Sequence, residues 1–259
     1  MPRIFIPDIS AKENQISITG EKARYLLSVL RCKKGNELIV FDGEGNSLRT
    51  KILKSDRREV IVEFLEKCSC NTESPVNIIL VQGLLKGQKM DMVIQKSTEL
   101  GVKEIIPVIT ERSQPKETRK VARWRKIAGE ASRQSGRSII PLVHEPKEFD
   151  QFLSSGQLER KGEREKGRHG EINGFIFWEE GGLPLKEAIL KVSSSPIHRF
   201  PDSPIHLLIG PEGGFTKEEV SIAEGKGFIV TSLGKRILRA ETASISAITL
   251  VQFLLGDLS

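Results

Sequence analysis

The chain has 259 residues, 38% hydrophobic and 29% charged, the composition of an ordinary globular protein with room for one large or two modest domains. No apolar run approaches the ~20 residues that cross a bilayer, and Met1–Pro7 is short, strand-like and followed at once by Asp8, so neither a membrane span nor a signal peptide is expected and the cytoplasm is the default compartment. The net charge of +6 is compatible with a polyanionic partner, while three cysteines (Cys32, Cys68, Cys70) and four histidines without ligand spacing leave no disulfide framework and no metal site in view.

Residues 1–72 read as a small β-rich domain. Strands are expected over Arg3–Ile6, Gln15–Thr19, Glu37–Phe41, Ser47–Leu53 and Glu59–Leu65, with a hairpin at Asp42-Gly43-Glu44-Gly45-Asn46. One helix, about Glu21 to Arg31, places Ala23, Leu26, Leu27 and Leu30 on one face. A five-stranded barrel with a helix is the natural architecture, and Asn71–Pro75 reads as the linker that follows it.

From residue 75 to 259 the pattern becomes α/β. Val76–Val81 reads as a buried strand, and Gln88–Leu100 as a helix with Met90, Val93, Ile94, Ser97 and Leu100 on one face, stopped by Gly101. A strand at Glu104–Ile109 and a basic helix at Glu117–Gln134 come next. Further strands are expected at Phe175–Trp178, His206–Ile209 and Phe228–Ser232, with helices from Lys217 and from Glu241. Repeated β-α units imply a largely parallel sheet covered on both faces. Two stretches, a charged one at 156–174 and a Ser/Pro-rich one at 193–204, read as exposed loops.

Charge is concentrated rather than spread. Between Arg112 and Arg137 there are nine basic residues against two acidic ones. That imbalance points to phosphate contact, with Arg112, Arg119, Lys120, Arg123, Arg133 and Arg137 as candidates. Arg3, Arg24 and Arg31 are the corresponding candidates in the first domain.

Two loops carry the chemistry. In the first, the apolar strand His206–Ile209 runs into Gly210-Pro211-Glu212-Gly213-Gly214-Phe215, and Thr216 with Glu219 forms a capping box for the next helix. One unit later Leu233-Gly234 ends a strand, a basic loop through Arg236, Ile237, Leu238 and Arg239 follows, and a helix opens at Glu241. Strand-end loops are where open α/β sheets bind ligands, and two of them imply one cleft. The last helix, Thr242 to Leu255, is apolar on nearly every side and must be covered by the sheet, by a second subunit or by both.

These residues resemble a known family. Ile209-Gly210-Pro211-Glu212-Gly213-Gly214-Phe215, with Leu233-Gly234-x-Arg236-Ile237-Leu238-Arg239-x-Glu241-Thr242-Ala243, is similar to the RsmE family of SPOUT-class methyltransferases, which act on N3 of a uridine in 16S ribosomal RNA. Gln95-Lys96-x-Thr98-Glu99-Leu100-Gly101-Val102, Ile106-Pro107, Trp124-x-Lys126-Ile127, Glu130-Ala131, Gln134-Ser135-x-Arg137, Pro2-Arg3-x-Phe5 and Val29-Leu30-Arg31 extend the match over almost the whole chain, with 156–174 outside it. One departure stands out. Before Val29-Leu30-Arg31 the family usually places histidine, where this chain has Arg24-Tyr25.

The resemblance implies a PUA-like β-barrel at 1–72 and a trefoil-knotted α/β-knot methyltransferase domain at 75–259. It implies a homodimer with active sites at the subunit interface, and 16S ribosomal RNA as partner within the assembled small subunit. It also implies S-adenosylmethionine bound by Leu208, Ile209, Gly210, Glu212, Gly213, Leu233, Gly234, Arg236, Ile237 and Leu238. Uracil N3 carries a proton, so the reaction needs a base or an anion stabiliser. Arg239, Glu241 and Glu212 are the catalytic candidates, with Glu130 a further carboxylate and Arg236 and Arg137 further cations. A knotted methyltransferase acting on another RNA, or a non-catalytic RNA-binding assembly factor, would use much of the same surface.

Overall fold

The computed structural model describes residues 1–7, 9, 14–56, 58–68, 72–114, 116–155, 174–193 and 203–258. The charged loop expected at 156–174, save Gly174, most of 193–204, and Cys70 lie outside the described residues. The chain divides into two compact units, Met1–Glu73 with Gly129–Ile140, and Ser74–Ala128 with Pro141–Ser259.

In the first unit, β1 (Arg3–Phe5), β2 (Gln15–Thr19), β3 (Glu37–Phe41), β4 (Ser47–Asp56) and β5 (Glu59–Lys67) form one sheet in the order β1-β3-β4-β5-β2. Only the β1–β3 pair is parallel. The hairpin between β3 and β4 is fixed by Asp42, whose Oδ1 accepts from the backbone N–H groups of Glu44 at 2.8 Å and Asn46 at 3.0 Å. Alternating residues of these strands (Leu38, Val40, Ile52, Val60, Val62) are buried against Ile18, Ala23 and Leu26. Each such Val, Leu or Ile contributes about 1.5–3 kcal/mol by leaving water.

The single helix expected over 21–31 is two pieces. α1 (Gly20–Arg24) passes into a π turn over Tyr25–Val29, closed by Leu30 N–H on Tyr25 O at 3.1 Å, and Arg31 then takes φ 53°. Ala23 and Leu26 are both in the core, and the residue inserted by the wider turn has no signature in an apolar pattern of helical spacing.

Gly129–Ile140 completes this unit. Ile140 N–H donates to Gly43 O at 2.9 Å. Arg137 pairs with Glu73 at 2.7 Å, with the two side chains only 3% and 7% exposed. Glu73 Oε1 also accepts from the N–H groups of Ser138 and Ile139, each at 3.0 Å.

The second unit is a parallel sheet. Its strands are β6 (Ile78–Gly83), β7 (Glu104–Ile109), β8 (Leu142–Val143), β9 (Lys147–Glu148), β10 (Gly174–Phe177), β11 (Leu183–Pro184), β12 (Ile205–Ile209) and β13 (Ile229–Ser232). They lie in the order β11-β13-β10-β12-β6-β7-β8, with β9 also on β7. Every residue of β6, β10 and β12 is buried, as befits central parallel strands covered on both faces. The helices are α2 (Lys89–Glu99), α3 (Val121–Ser135, whose residues from Gly129 on belong to the first unit), α4 (Phe149–Ser154), α5 (Leu185–Ser193), α6 (Lys217–Gly225) and α7 (Ala240–Leu255). β8, β9, α4, β11 and α5 are absent from the sequence-based expectation, because elements of two to nine residues leave too short a pattern.

α3 starts four residues later than its charge pattern suggests. Thr118 Oγ1 accepts from Lys120 N–H at 3.1 Å, and the first helical bond runs from Trp124 N–H to Lys120 O. α7 buries Ser244, Ala247, Ile248, Val251 and Gln252 in its own unit and leaves Leu250, Phe253 and Leu254 exposed. Among the described residues no helix is long and apolar enough to cross a membrane, and no group of three or more His, Cys, Asp or Glu is placed to hold a metal ion.

Candidate active site

The first loop leaves β12 at Gly210 and turns back at Gly214, whose N–H donates to Pro211 O at 2.9 Å. It is packed backbone on backbone. A Cβ on Gly83, at the end of β6, would lie 2.5 Å from Pro211 N, and one on Gly210 would lie 3.0 Å from the Gly214 carbonyl carbon. Beneath the loop, fully buried Gln82 spends its amide N–H groups on strand-end carbonyls, Gly83 O at 3.1 Å and Gly210 O at 3.3 Å, while its Oε1 accepts from the Ser244 hydroxyl of α7.

Side chains from outside hold the rest. Arg112 Nη1 donates to Gly213 O at 2.9 Å and to Phe215 O at 3.3 Å. Glu212 Oε1 accepts from Lys89 Nζ at 2.9 Å and from Lys86 N–H at 3.1 Å. Burial pushes the Glu212 carboxyl up, but the Lys89 ammonium and the N–H groups of Glu212 and Lys86 outweigh it, leaving this carboxyl below its ordinary range. Phe215 is buried against Phe149, ring centres 5.3 Å apart. The Thr216–Glu219 capping box is present in both directions, at 2.9 and 3.2 Å, and Glu219 Oε1 also accepts from Glu111 N–H at 2.8 Å.

The second loop is held far less. Its contacts are local, Gly234 N–H to Ser232 Oγ at 3.1 Å and Ser232 Oγ to Gly234 O at 3.3 Å. Gly234 has φ +110°, and a Cβ there would meet nothing within 4 Å. Ile237 is 83% exposed. α7 then begins without a side-chain cap at Arg239.

Between the loops lies an open cleft lined by residues from both of them. Every residue expected to hold the cofactor lines it except Leu208 and Gly213. Leu208 is buried inside the sheet, and Gly213 packs against Arg112. Two catalytic candidates, Arg239 and Glu241, are also outside the lining; Arg239 is exposed, and Glu241 is half-buried with its Oε2 shielded and without a hydrogen-bond partner among the described residues.

Phe177, Trp178 and Glu179 join the lining without having been expected. They follow from strand order. β10 lies between β12 and β13, so its C-terminal end opens between the two loops. The lining suits a nucleoside-type cofactor, with apolar Phe177, Ile209, Leu233 and Leu238 beside side-chain-free backbone at Gly210, Gly214 and Gly234.

The expected phosphate-binding residues separate into free and committed ones. Arg24 and Arg31 of the first unit are exposed, as are Arg119 and Lys120 of the second, Lys120 also donating to Gly87 O at 3.0 Å. Arg3 lies 5.2 Å over the Phe41 ring and donates to Arg137 O at 3.0 Å. Arg133 lies 5.0 Å over the Tyr25 ring and donates to its hydroxyl at 2.9 Å, so the residue standing near the family's usual histidine receives an arginine. Arg123 pairs with Asp91 at 2.9 Å but stays 61% exposed. Arg137 is the correction. Its guanidinium is buried on Glu73 and has no face for a phosphate. Arg112 is tied to the first loop and is better read as the support of that loop.

Comparison with known proteins agrees with this geometry. Residues 72–252 match the family described as an RNA methyltransferase domain, and residues 18–65 the family described as an RNA methyltransferase PUA domain. The chain is 35% identical, over 94% of its length and 74% of the relative's, to ribosomal RNA small subunit methyltransferase E of Synechocystis. It is 33% identical to the Bacillus subtilis protein of the same name, covering 92% of this chain and 89% of that one. The chain belongs to the ribosomal RNA small subunit methyltransferase E family. Its first unit is accordingly PUA-like and its second a SPOUT-class α/β-knot methyltransferase domain. The solved Neisseria gonorrhoeae member, bound to S-adenosylmethionine, superposes with a TM-score of 0.85 at 32% identity, covering all of both chains. A Legionella pneumophila methyltransferase in complex with the same cofactor gives 0.81 at 32% identity, over 99% of this chain and 98% of that one.

Proposed function

We propose that this protein transfers the methyl group of S-adenosylmethionine to N3 of a uridine in 16S, small-subunit ribosomal RNA, acting in the cytoplasm as a homodimer on the assembled small subunit. The observation that carries this reading is the cavity between loops 210–214 and 233–239, in a chain belonging to a family of ribosomal RNA methyltransferases.

When bound, the cofactor supplies an electrophilic methyl carbon on a sulfonium. The rest falls to the protein. It must expose N3 of an unstacked base, orient it in line with that carbon, and remove or offset the N3 proton. Glu212, engaged by Lys89 and Lys86 with its carboxyl lowered, is a poor base and acts as a brace between the first loop and the segment before α2. Arg239 and Glu241 retain the catalytic roles, Arg239 favouring the uracil anion. Both stand at the start of α7, whose exposed Leu250, Phe253 and Leu254 form the face through which two copies pair.

Mass spectrometry of 16S ribosomal RNA from a strain lacking the protein tests the activity. Loss of one methyluridine, restored by the wild type but not by Arg239→Ala, is the expected result, and an unchanged modification profile defeats the reading. Sedimentation of Leu250→Asp/Phe253→Asp tests the pairing, with a monomer expected.

A further inference from the structure

Glu179 stands where β10 ends, and its position is set by its neighbours. Trp178 N–H donates to Thr231 O at 3.1 Å, which ties this segment to β13. On the other side is Gly214, at φ +69°; a Cβ there would collide with the Glu179 carboxylate. The missing side chain at 214 is what lets the carboxylate lie against the first loop and line the cavity.

The cavity's charges are unequal. Glu212 is neutralised by Lys89. Glu179 has no hydrogen-bond or ion-pair partner among the described residues, and Arg236, the remaining ionic group of the lining, makes no ion pair with it. Its neighbour Glu180 faces Lys217 at 3.9 Å and does not line the cavity. One exposed carboxylate, without an ion-pair partner among the described residues, therefore borders the space assigned to the methyl donor.

We propose that Glu179 is a specificity-determining residue that favours the cationic donor over its neutral-sulfur product. S-adenosylmethionine carries a positive sulfonium, and transfer of the methyl group removes that charge, leaving the thioether of S-adenosylhomocysteine. A carboxylate in the cavity attracts the first and is indifferent to the sulfur of the second. It thereby limits product inhibition. This inference rests on the reading of the cavity as a donor site.

Calorimetry on the full-length protein separates the two. The probes are S-adenosylmethionine, S-adenosylhomocysteine and sinefungin, which carries an ammonium in place of the sulfonium. In Glu179→Gln, affinity for S-adenosylmethionine and sinefungin is expected to fall about tenfold, equivalent to about 1.4 kcal/mol, while affinity for S-adenosylhomocysteine changes less than about twofold. Glu179→Asp retains most of the preference, and Glu180→Gln retains all of it. Gly214→Ala, which displaces the carboxylate, reduces the preference as Glu179→Gln does. Equal losses for all three ligands, as a merely structural residue would give, or no loss at all, overturn the proposal. A wild-type protein that binds none of the three overturns the donor-site reading and this inference with it.

Discussion

Loops 210–214 and 233–239 face each other across one cavity and are held in opposite ways. In the first, Gly210 packs on Gly214, Pro211 on Gly83, Glu212 on Lys86 and Lys89, and Gly213 on Arg112. In the second, the described contacts are those between Ser232 and Gly234, and Ile237 stands in solvent. A wall that is already fixed fits a cofactor recognised by backbone groups, since no ordering cost is paid on binding. A wall held only at its base leaves its side chains open to contact with cofactor, RNA or a second subunit.

The sharpest way to break this contrast is to add a β-branched side chain to each wall. Gly210→Val forces a Cβ to within 3.0 Å of the Gly214 backbone. It should abolish donor binding in calorimetry and destabilise the protein by about 1–3 kcal/mol through overpacking. Gly234→Val meets open space, so donor affinity should fall while stability drops only by the positive-φ strain, about 1–2 kcal/mol. Equal ligand losses with equal stability losses would mean the two walls are not different in kind.

Next in size is Gln82→Leu, which strips the buried strand-end carbonyls of their amide donor, while the Ser244 hydroxyl keeps Ala240 O at 2.9 Å. Denaturant melts should show a loss of about 1–3 kcal/mol, the cost of an unsatisfied buried polar group. Glu212→Gln should cost less, about 0.2–1 kcal/mol for a partly exposed ion pair, and its effect should depend on pH. The folded carboxyl is lowered, so its contribution is complete above the unfolded carboxyl value of about 4.3 and disappears as pH falls through the lower folded value. Melts of wild type and variant should therefore converge in acid; a gap that widens there would count against the brace. Smallest of all, Ile237→Ser should move stability by no more than about 0.5 kcal/mol yet slow single-turnover methylation, because its side chain has work only when the loop is covered.

Much of this site is legible in the sequence because loops at strand ends announce themselves. The run from Ile209 to Phe215, the Thr216–Glu219 box and the fully buried β12 need only local pattern, and the structure places them as read. What pattern cannot supply is which strand lies beside which. Phe177, Trp178 and Glu179 enter the cavity solely because β10 sits between β12 and β13. Charge counting fails for a related reason. Arg137 adds to a basic run along the chain, but its partner Glu73 is 64 residues away and cancels it inside the protein. The π turn at Tyr25–Val29 escapes too, since one inserted residue leaves the spacing of apolar positions nearly helical.

The return of Gly129–Ile140 to the first unit has a consequence for how the protein is made. Synthesis delivers the five-stranded sheet first, yet the Tyr25 hydroxyl waits for Arg133, 108 residues later, and Glu73 waits for Arg137. A nascent chain stalled anywhere before residue 140 carries a sheet whose closing segment has not emerged. The first unit is therefore completed only once residue 140 has been made. A chain truncated after residue 73 retains the five strands but lacks Arg133 and Arg137, the partners of Tyr25 and Glu73.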